Sequence, residues 1–186
     1  MPAKSTADRY GSVAITIHWV TAVAIVILLG LGLAAANAGD PDTKAALLRW
    51  HVPLGIAVFL LTLFRIGWWW FADRRPRPLV GLPRWRVGAE HAVRLLIYAG
   101  VLVLGASGIT MMILSGAPAI LFGGAPGPLP DFWRYPPMPA HFLAAFALLA
   151  LAVIHIAAAL YHQFVRSDGE LGRMGIGQPP PAASAR

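Results

Sequence analysis

The chain has 186 residues, enough for one domain, and 58% of them are hydrophobic while 12% are charged. Soluble domains hold about 45–50% apolar and about 25% charged residues, so the composition points to the membrane class. With no cysteine, the sequence excludes disulfides, iron–sulfur clusters, thiolate zinc sites, thiol redox chemistry and covalent heme attachment through Cys-x-x-Cys-His. The formal net charge of +7 is assigned to membrane topology rather than to nucleic acid, because cytoplasmic loops of membrane proteins collect Lys and Arg.

A short polar arm, residues 1–12, precedes the first apolar stretch, Val13 to Ala36. This stretch is too long for a signal-peptide core and is expected to be retained. Three more apolar stretches follow, at Leu47 to Ala72, Ala89 to Ser115 and Ala140 to Val165. Each exceeds the roughly 20 residues that cross a bilayer. In hydrocarbon every backbone polar group must pair within its own segment, so each run is predicted helical. The expected class is all-α: a four-helix transmembrane bundle, up-down-up-down, spanning residues 13–166. Turn-forming residues fill the connections at 37–46, 73–88 and 116–139. Residues 167–186 form a C-terminal tail ending in a Pro-Ala-Ser-rich run, expected to be partly disordered.

Basic residues set the orientation. The arm, the 73–88 connection and the tail hold Lys4, Arg9, Arg74, Arg75, Arg77, Arg84, Arg86, Arg166, Arg173 and Arg186, which is ten. The opposite side holds Lys44, Arg49 and Arg134, which is three. Both termini are therefore expected in the cytoplasm, in a multi-pass protein of a bacterial inner membrane.

All six histidines lie in or at the edges of the four apolar stretches. An ionisable side chain inside a bilayer is costly and usually functional. One such histidine is readily explained as an interhelical hydrogen bond, but six are not. His141 and His155 are 14 residues apart, so they share a helix face, differing by about 40°, and lie about 21 Å apart along the axis. Two stacked sites can use one each. His51 enters from the same side as His141, and the depth of His18 matches that of His155. The expected pairs are His51 with His141 and His18 with His155.

A histidine pair in an apolar bundle suits heme b. Zinc normally takes four protein ligands, and copper also needs more than two. A b heme brings four nitrogens of its own, needs two axial imidazoles and fits a bundle core. Bis-histidine ligation leaves no open position on iron, so the expected chemistry is one-electron transfer. The expected cofactors are two non-covalent heme b groups, with His18, His51, His141 and His155 as iron ligands. His162 faces the same way as His155 and is its competitor, lying closer to the membrane edge. His91, beside Glu90, is expected at the interface. Arg65 lies near the inner level, where a heme propionate contact and snorkelling toward headgroups are both open. Met111 and Met112 are expected to be packing residues. Gly30, Gly32, Gly100, Gly105 and Gly108 suit close approach of helices or macrocycle.

These features together resemble the bacterial cytochrome b561 family, the small four-helix, two-heme type. They are Ile17-His18-Trp19; His51-Val52 with Gly55 and Arg65; Leu96-Ile97-Tyr98 and Gly108-Ile109-Thr110-Met111-Met112; His141; His155 with Ala157-Ala158-Ala159-Leu160 and His162; and Asp168, Leu171, Arg173 and Met174. The resemblance covers about residues 9 to 177. It implies heme ligation by His18, His51, His141 and His155. It also implies electron transfer from an extracytoplasmic donor, with superoxide as the expected one, to ubiquinone. Its larger-complex members imply an alternative, a cytochrome b anchor subunit of a hydrogenase- or formate dehydrogenase-type assembly that takes electrons from a periplasmic redox protein. From another class, a heme-free transporter or scaffold would use the histidines as a proton relay. Superoxide steering favours a positive outer surface. Lys44, Arg49 and Arg134 are matched there by Asp40, Asp42 and Asp131.

Overall fold

The computed structural model describes residues 2–78 and 83–177, and those residues contain helices and no strand. Four long helices are apolar enough to cross a membrane. They are α1 (Ser12–Ala36), α2 (Pro41–Phe71), α3 (Arg84–Ser115) and α5 (Pro137–Tyr161). Two short helices, α4 (Ala117–Leu121) and α6 (Glu170–Arg173), follow α3 and α5. The expected all-α class with four spans is what the structure shows.

Helix boundaries differ from the sequence expectation in the connections. Residues 41–46, expected in a turn, already belong to α2. Asp40 caps that helix by accepting from the Thr43 N–H at 2.8 Å, and Pro41 occupies the first turn, where its missing N–H costs nothing. Turn-type residues here start a helix instead of preventing one. In the same way α3 begins at Arg84, inside the expected 73–88 connection. The last span runs on from α5 through a π-helical turn, His162–Arg166, which stops at Ser167 in the left-handed region (φ 51°). The 116–139 connection contains α4, which Gly116 (φ 66°) separates from α3, and a 3-10 turn at Phe132–Arg134 capped by Asp131. Large apolar side chains on the long helices point away from the protein, with Ile113 73% and Leu143 71% exposed, as lipid-facing residues must.

The chain divides into two compact units. The first comprises Met1–Val20, Leu63–Ile97 and Ala150–Arg186. In it the N-terminal arm, the segment after α2 and the tail up to residue 177 are tied by hydrogen bonds. Arg173, nearly buried, donates to the Asp8 carbonyl at 2.8 Å and the Arg77 carbonyl at 2.7 Å. Trp19 donates through Nε1 to the Met174 carbonyl at 3.1 Å. Asp73 accepts from the Ser5 N–H and hydroxyl, the Arg74 N–H and the Trp68 indole. Burial pushes the Asp73 carboxyl upward, but these donors outweigh it and hold the group below its ordinary range. Residues 178–186, where disorder was expected, lie outside the described residues.

The second unit comprises Thr21–Thr62 and Tyr98–Leu149. Its core joins Met111, Met112, Ala117, Leu121 and Phe132, with Leu48, Val52 and Met138 packed against them. Both methionines therefore serve packing. Arg49 Nε donates to the Leu121 carbonyl at 2.9 Å, tying α2 to the end of α4. A Cβ on Gly105 would overlap the Phe59 ring, so the close approach of α2 and α3 requires glycine there.

Candidate functional site

In the first unit, α1 presents His18 and α5 presents His155, and the two rings meet with centroids 6.3 Å apart at 72°. In the second unit, α2 presents His51 and α5 presents His141, with centroids again 6.3 Å apart, at 63°. A direct imidazole–imidazole hydrogen bond would bring the centroids to about 5 Å, so neither pair is bonded ring to ring. Each separation would leave room for one metal ion held by a nitrogen from each ring, at metal–nitrogen distances of about 2.0 Å.

The surroundings of each ring fix its orientation. Around His141 the key group is Ser107, whose hydroxyl lies 2.6 Å from the Val103 carbonyl and 3.1 Å from His141 Nδ1. The hydroxyl proton goes to Val103 at the shorter contact, leaving an oxygen lone pair to accept from an Nδ1–H. That tautomer leaves the Nε2 lone pair available for a metal. Gly108, one residue on, forms a notch for the ring: a methyl there would stand 3.3 Å from His141 Cε1. His51 has a matching notch on α1, where a methyl on Gly32 would stand 3.1 Å from its Cε1. Its Nδ1 is buried without a hydrogen bond of good geometry, and the Leu28 carbonyl is within looser reach.

The first-unit pair has a cationic environment. Arg65 Nη1 lies 3.4 Å from His18 Nδ1. Both Arg65 and Arg94 act electrostatically on His155, and Arg94 Nε is buried without a hydrogen-bond partner. Two guanidiniums beside one histidine pair suit a group that is apolar in body and doubly anionic at its edge. His162 instead holds Asp168, with Nδ1 3.0 Å from Oδ2, and His91 is exposed. Arg86 joins this second cluster, with contacts to Glu90 at 3.1 Å, Asp168 at 3.3 Å and Glu170 at 2.7 Å.

Among the described residues no group of three or more His, Cys, Asp or Glu could hold a bare metal ion. Two imidazoles, a glycine notch and flanking arginines fit heme b, which supplies the remaining four nitrogens itself. Sequence reading had anticipated the four histidines and Arg65 as candidates. It did not single out Ser107 or Arg94. Ser107 carried no signal beyond its place before Gly108, while Arg94 had one, a second arginine inside an apolar span.

A four-span membrane protein with two facing histidine pairs belongs to the class of integral membrane cytochromes. The chain matches the family described as prokaryotic cytochrome b561 over residues 9–177 and belongs to that family. It is 28% identical over 181 residues to cytochrome b561 homolog 2 of Escherichia coli (strain K12), covering 94% of this chain and 95% of that protein. It is 32% identical over 174 residues to cytochrome b562 of Cereibacter sphaeroides, covering 89% of this chain and 94% of that protein. No solved structure matches the chain. Family membership and the four spans make it a multi-pass protein of the bacterial inner membrane, a b-type cytochrome acting in electron transfer.

Proposed function

We propose that this chain binds two heme b groups and moves single electrons between a donor on the periplasmic face, superoxide being the first candidate, and ubiquinone in the membrane. The two histidine pairs, both at 6.3 Å between ring centroids, carry this reading. His51 and His141 would hold one group and His18 and His155 the other. When bound, the hemes supply reversible one-electron chemistry with no open iron position.

The protein's part is to hold and to orient. Ser107, accepting from His141 Nδ1–H, would leave the Nε2 lone pair of His141 free to hold the group. The Gly32 and Gly108 notches let the His51 and His141 rings approach α1 and α3 closely. At His18, iron binding through Nε2 needs a proton on Nδ1, and a guanidinium cannot accept it. Arg65, with Arg94 beside it, would instead pair with the anionic edge of the bound group. Overall, two superoxide ions would give up one electron each and leave as dioxygen, while one quinone takes up two electrons and two protons. Arg49, two residues before His51, is the cation closest in sequence to the periplasmic-side pair.

The test is a heme count with ligand variants. Purified protein should carry two hemes per chain by pyridine hemochrome assay. His51→Ala and His141→Ala should each lose one heme, and the same one. His18→Ala and His155→Ala should each lose the other. Loss of the same heme from His51→Ala and His18→Ala contradicts the pairing. Superoxide consumption coupled to reduction of a quinone analogue by the isolated chain supports the donor. Co-purification with a large redox subunit and inertness toward superoxide would favour an anchor-subunit role.

A further inference from the structure

The two histidine pairs have unlike electrostatic surroundings. Beside His18 and His155, in the first unit, are two arginines carried by different spanning helices, Arg65 on α2 and Arg94 on α3. Arg65 Nη1 is 3.4 Å from His18 Nδ1, and both guanidiniums act on His155. Arg94 is half-buried, its Nε has no hydrogen-bond partner, and among the described residues no carboxylate pairs with it. Glu90, one turn before it on α3, is held by Arg86 at 3.1 Å instead.

In the second unit, among the described residues, no arginine or lysine figures among the groups acting on His51 and His141. Burial, the facing imidazole and the Leu28 carbonyl act on His51, and burial and the Leu104 carbonyl act on His141. Arg49 lies about 200° round α2 from His51 and donates to the Leu121 carbonyl at 2.9 Å. Lys44 shares the face of His51 but is about 10 Å away along the axis. It rests 6.0 Å from the Phe132 ring centre at the start of α2, where water screens its charge. Ser107, placed to accept from His141 Nδ1–H, makes that imidazole a stronger donor to a metal.

A nearby cation favours the reduced form of a one-electron carrier, which has one positive charge fewer, and a strongly donating imidazole favours the oxidised form. Both effects act in the same direction. Propionates bring the same negative edge to either site, so the arginines remain the difference. We propose, resting on the two-heme reading above, that Arg65 and Arg94 make the His18/His155 pair the higher-potential heme site, so that an electron given to the chain settles there. One electron moves, and the His51/His141 site is oxidised as the His18/His155 site is reduced.

Potentiometric titration of the purified full-length holoprotein with optical detection tests this, alongside a pyridine hemochrome count of bound heme. The higher-potential transition should be absent from His18→Ala and the lower one from His51→Ala. A single cation at an effective dielectric of about 20 shifts a one-electron equilibrium by about tenfold. Arg94→Gln, which removes the charge, should therefore lower the higher potential by about 59 mV and leave the other in place. Arg94→Lys keeps the charge and should restore most of that loss, and Arg65→Gln should act in the same direction as Arg94→Gln. The comparison of His18→Ala with His51→Ala needs no arginine variant, so the order of the potentials is measurable even where one fails to fold. A wild-type count below two hemes per chain sinks the two-heme reading and this proposal with it. With two hemes counted, a higher potential at His51/His141, or an unmoved potential in Arg94→Gln, overturns this proposal alone.

Discussion

Ser107 and His141 illustrate how one side chain can set the role of another. The Ser107 hydroxyl bonds back to its own helix at Val103, which turns its lone pair toward the imidazole. His51, the facing ring, has no such side-chain partner. Removing a hydrogen-bond partner of a metal-bound histidine typically costs about 10- to 100-fold in affinity. On the proposed ligand assignment, Ser107→Ala is expected to weaken retention of heme at the His51/His141 pair by about tenfold. It should also raise that heme's reduction potential, since the imidazole becomes a poorer donor. Ser107→Thr should restore both. A redox titration with optical detection, which would resolve the two proposed hemes, reads this out. The glycine notches belong to the same scale. A methyl at Gly108 would stand 3.3 Å from the His141 ring, so Gly108→Val should displace the ring and remove the heme proposed at the His51/His141 pair.

Among the elements, the junction of α3 with the segment after α5 depends on Arg86. Its side chain is 10% exposed and contacts Glu90, Asp168 and Glu170, and Asp168 also holds His162. One cation thus bridges three carboxylates that otherwise repel one another within a partly buried cluster. Arg86→Leu would leave them facing one another, and with the carboxylates 21–43% exposed the cost falls between that of surface and of buried pairs, about 1–3 kcal/mol. A matching drop in unfolding free energy, measured by denaturant titration in detergent, is the expected outcome. Arg86→Leu with Glu170→Gln should recover part of it, because one of the repelling charges is then gone.

For the molecule as a whole, two groups outside the spans give stability opposite dependences on pH. Burial, reinforced by the neighbouring Glu90 and Asp168 carboxylates, raises Glu170 above the ordinary carboxylate value despite Arg86. A raised group favours the folded state most when protonated, so acidification from neutral first stabilises. Asp73 is held below its ordinary value by its donors, so its contribution is complete above the ordinary value and disappears as pH falls through the depressed one. The thermal midpoint should therefore rise modestly and then fall as pH is lowered. Glu170→Gln should abolish the rise, and Asp73→Asn should lower the midpoint at neutral pH and flatten the fall. Differential scanning fluorimetry across pH on the three proteins separates the two effects.

The four spans and the positions of the histidines were legible from one dimension, because hydrocarbon tolerates only long apolar helices with few ionisable side chains, and these stand out by composition alone. The meeting of His18 with His155 and of His51 with His141 also followed, since helix rise and facing angle are fixed per residue. The start of α2 at Pro41 did not follow, because Asp40 and Pro41 signal a turn and a helix cap alike, and only the chain's actual path distinguishes them. Nor did Ser107 or Arg94. Their significance lies in which atoms on other segments stand beside them, such as His141 Nδ1 and His155, and helix rise and facing angle give depth and face but not the neighbours that touch a ring. Composition and spacing determined where the ring pairs meet; tertiary packing alone decided which side chains hold those rings in place.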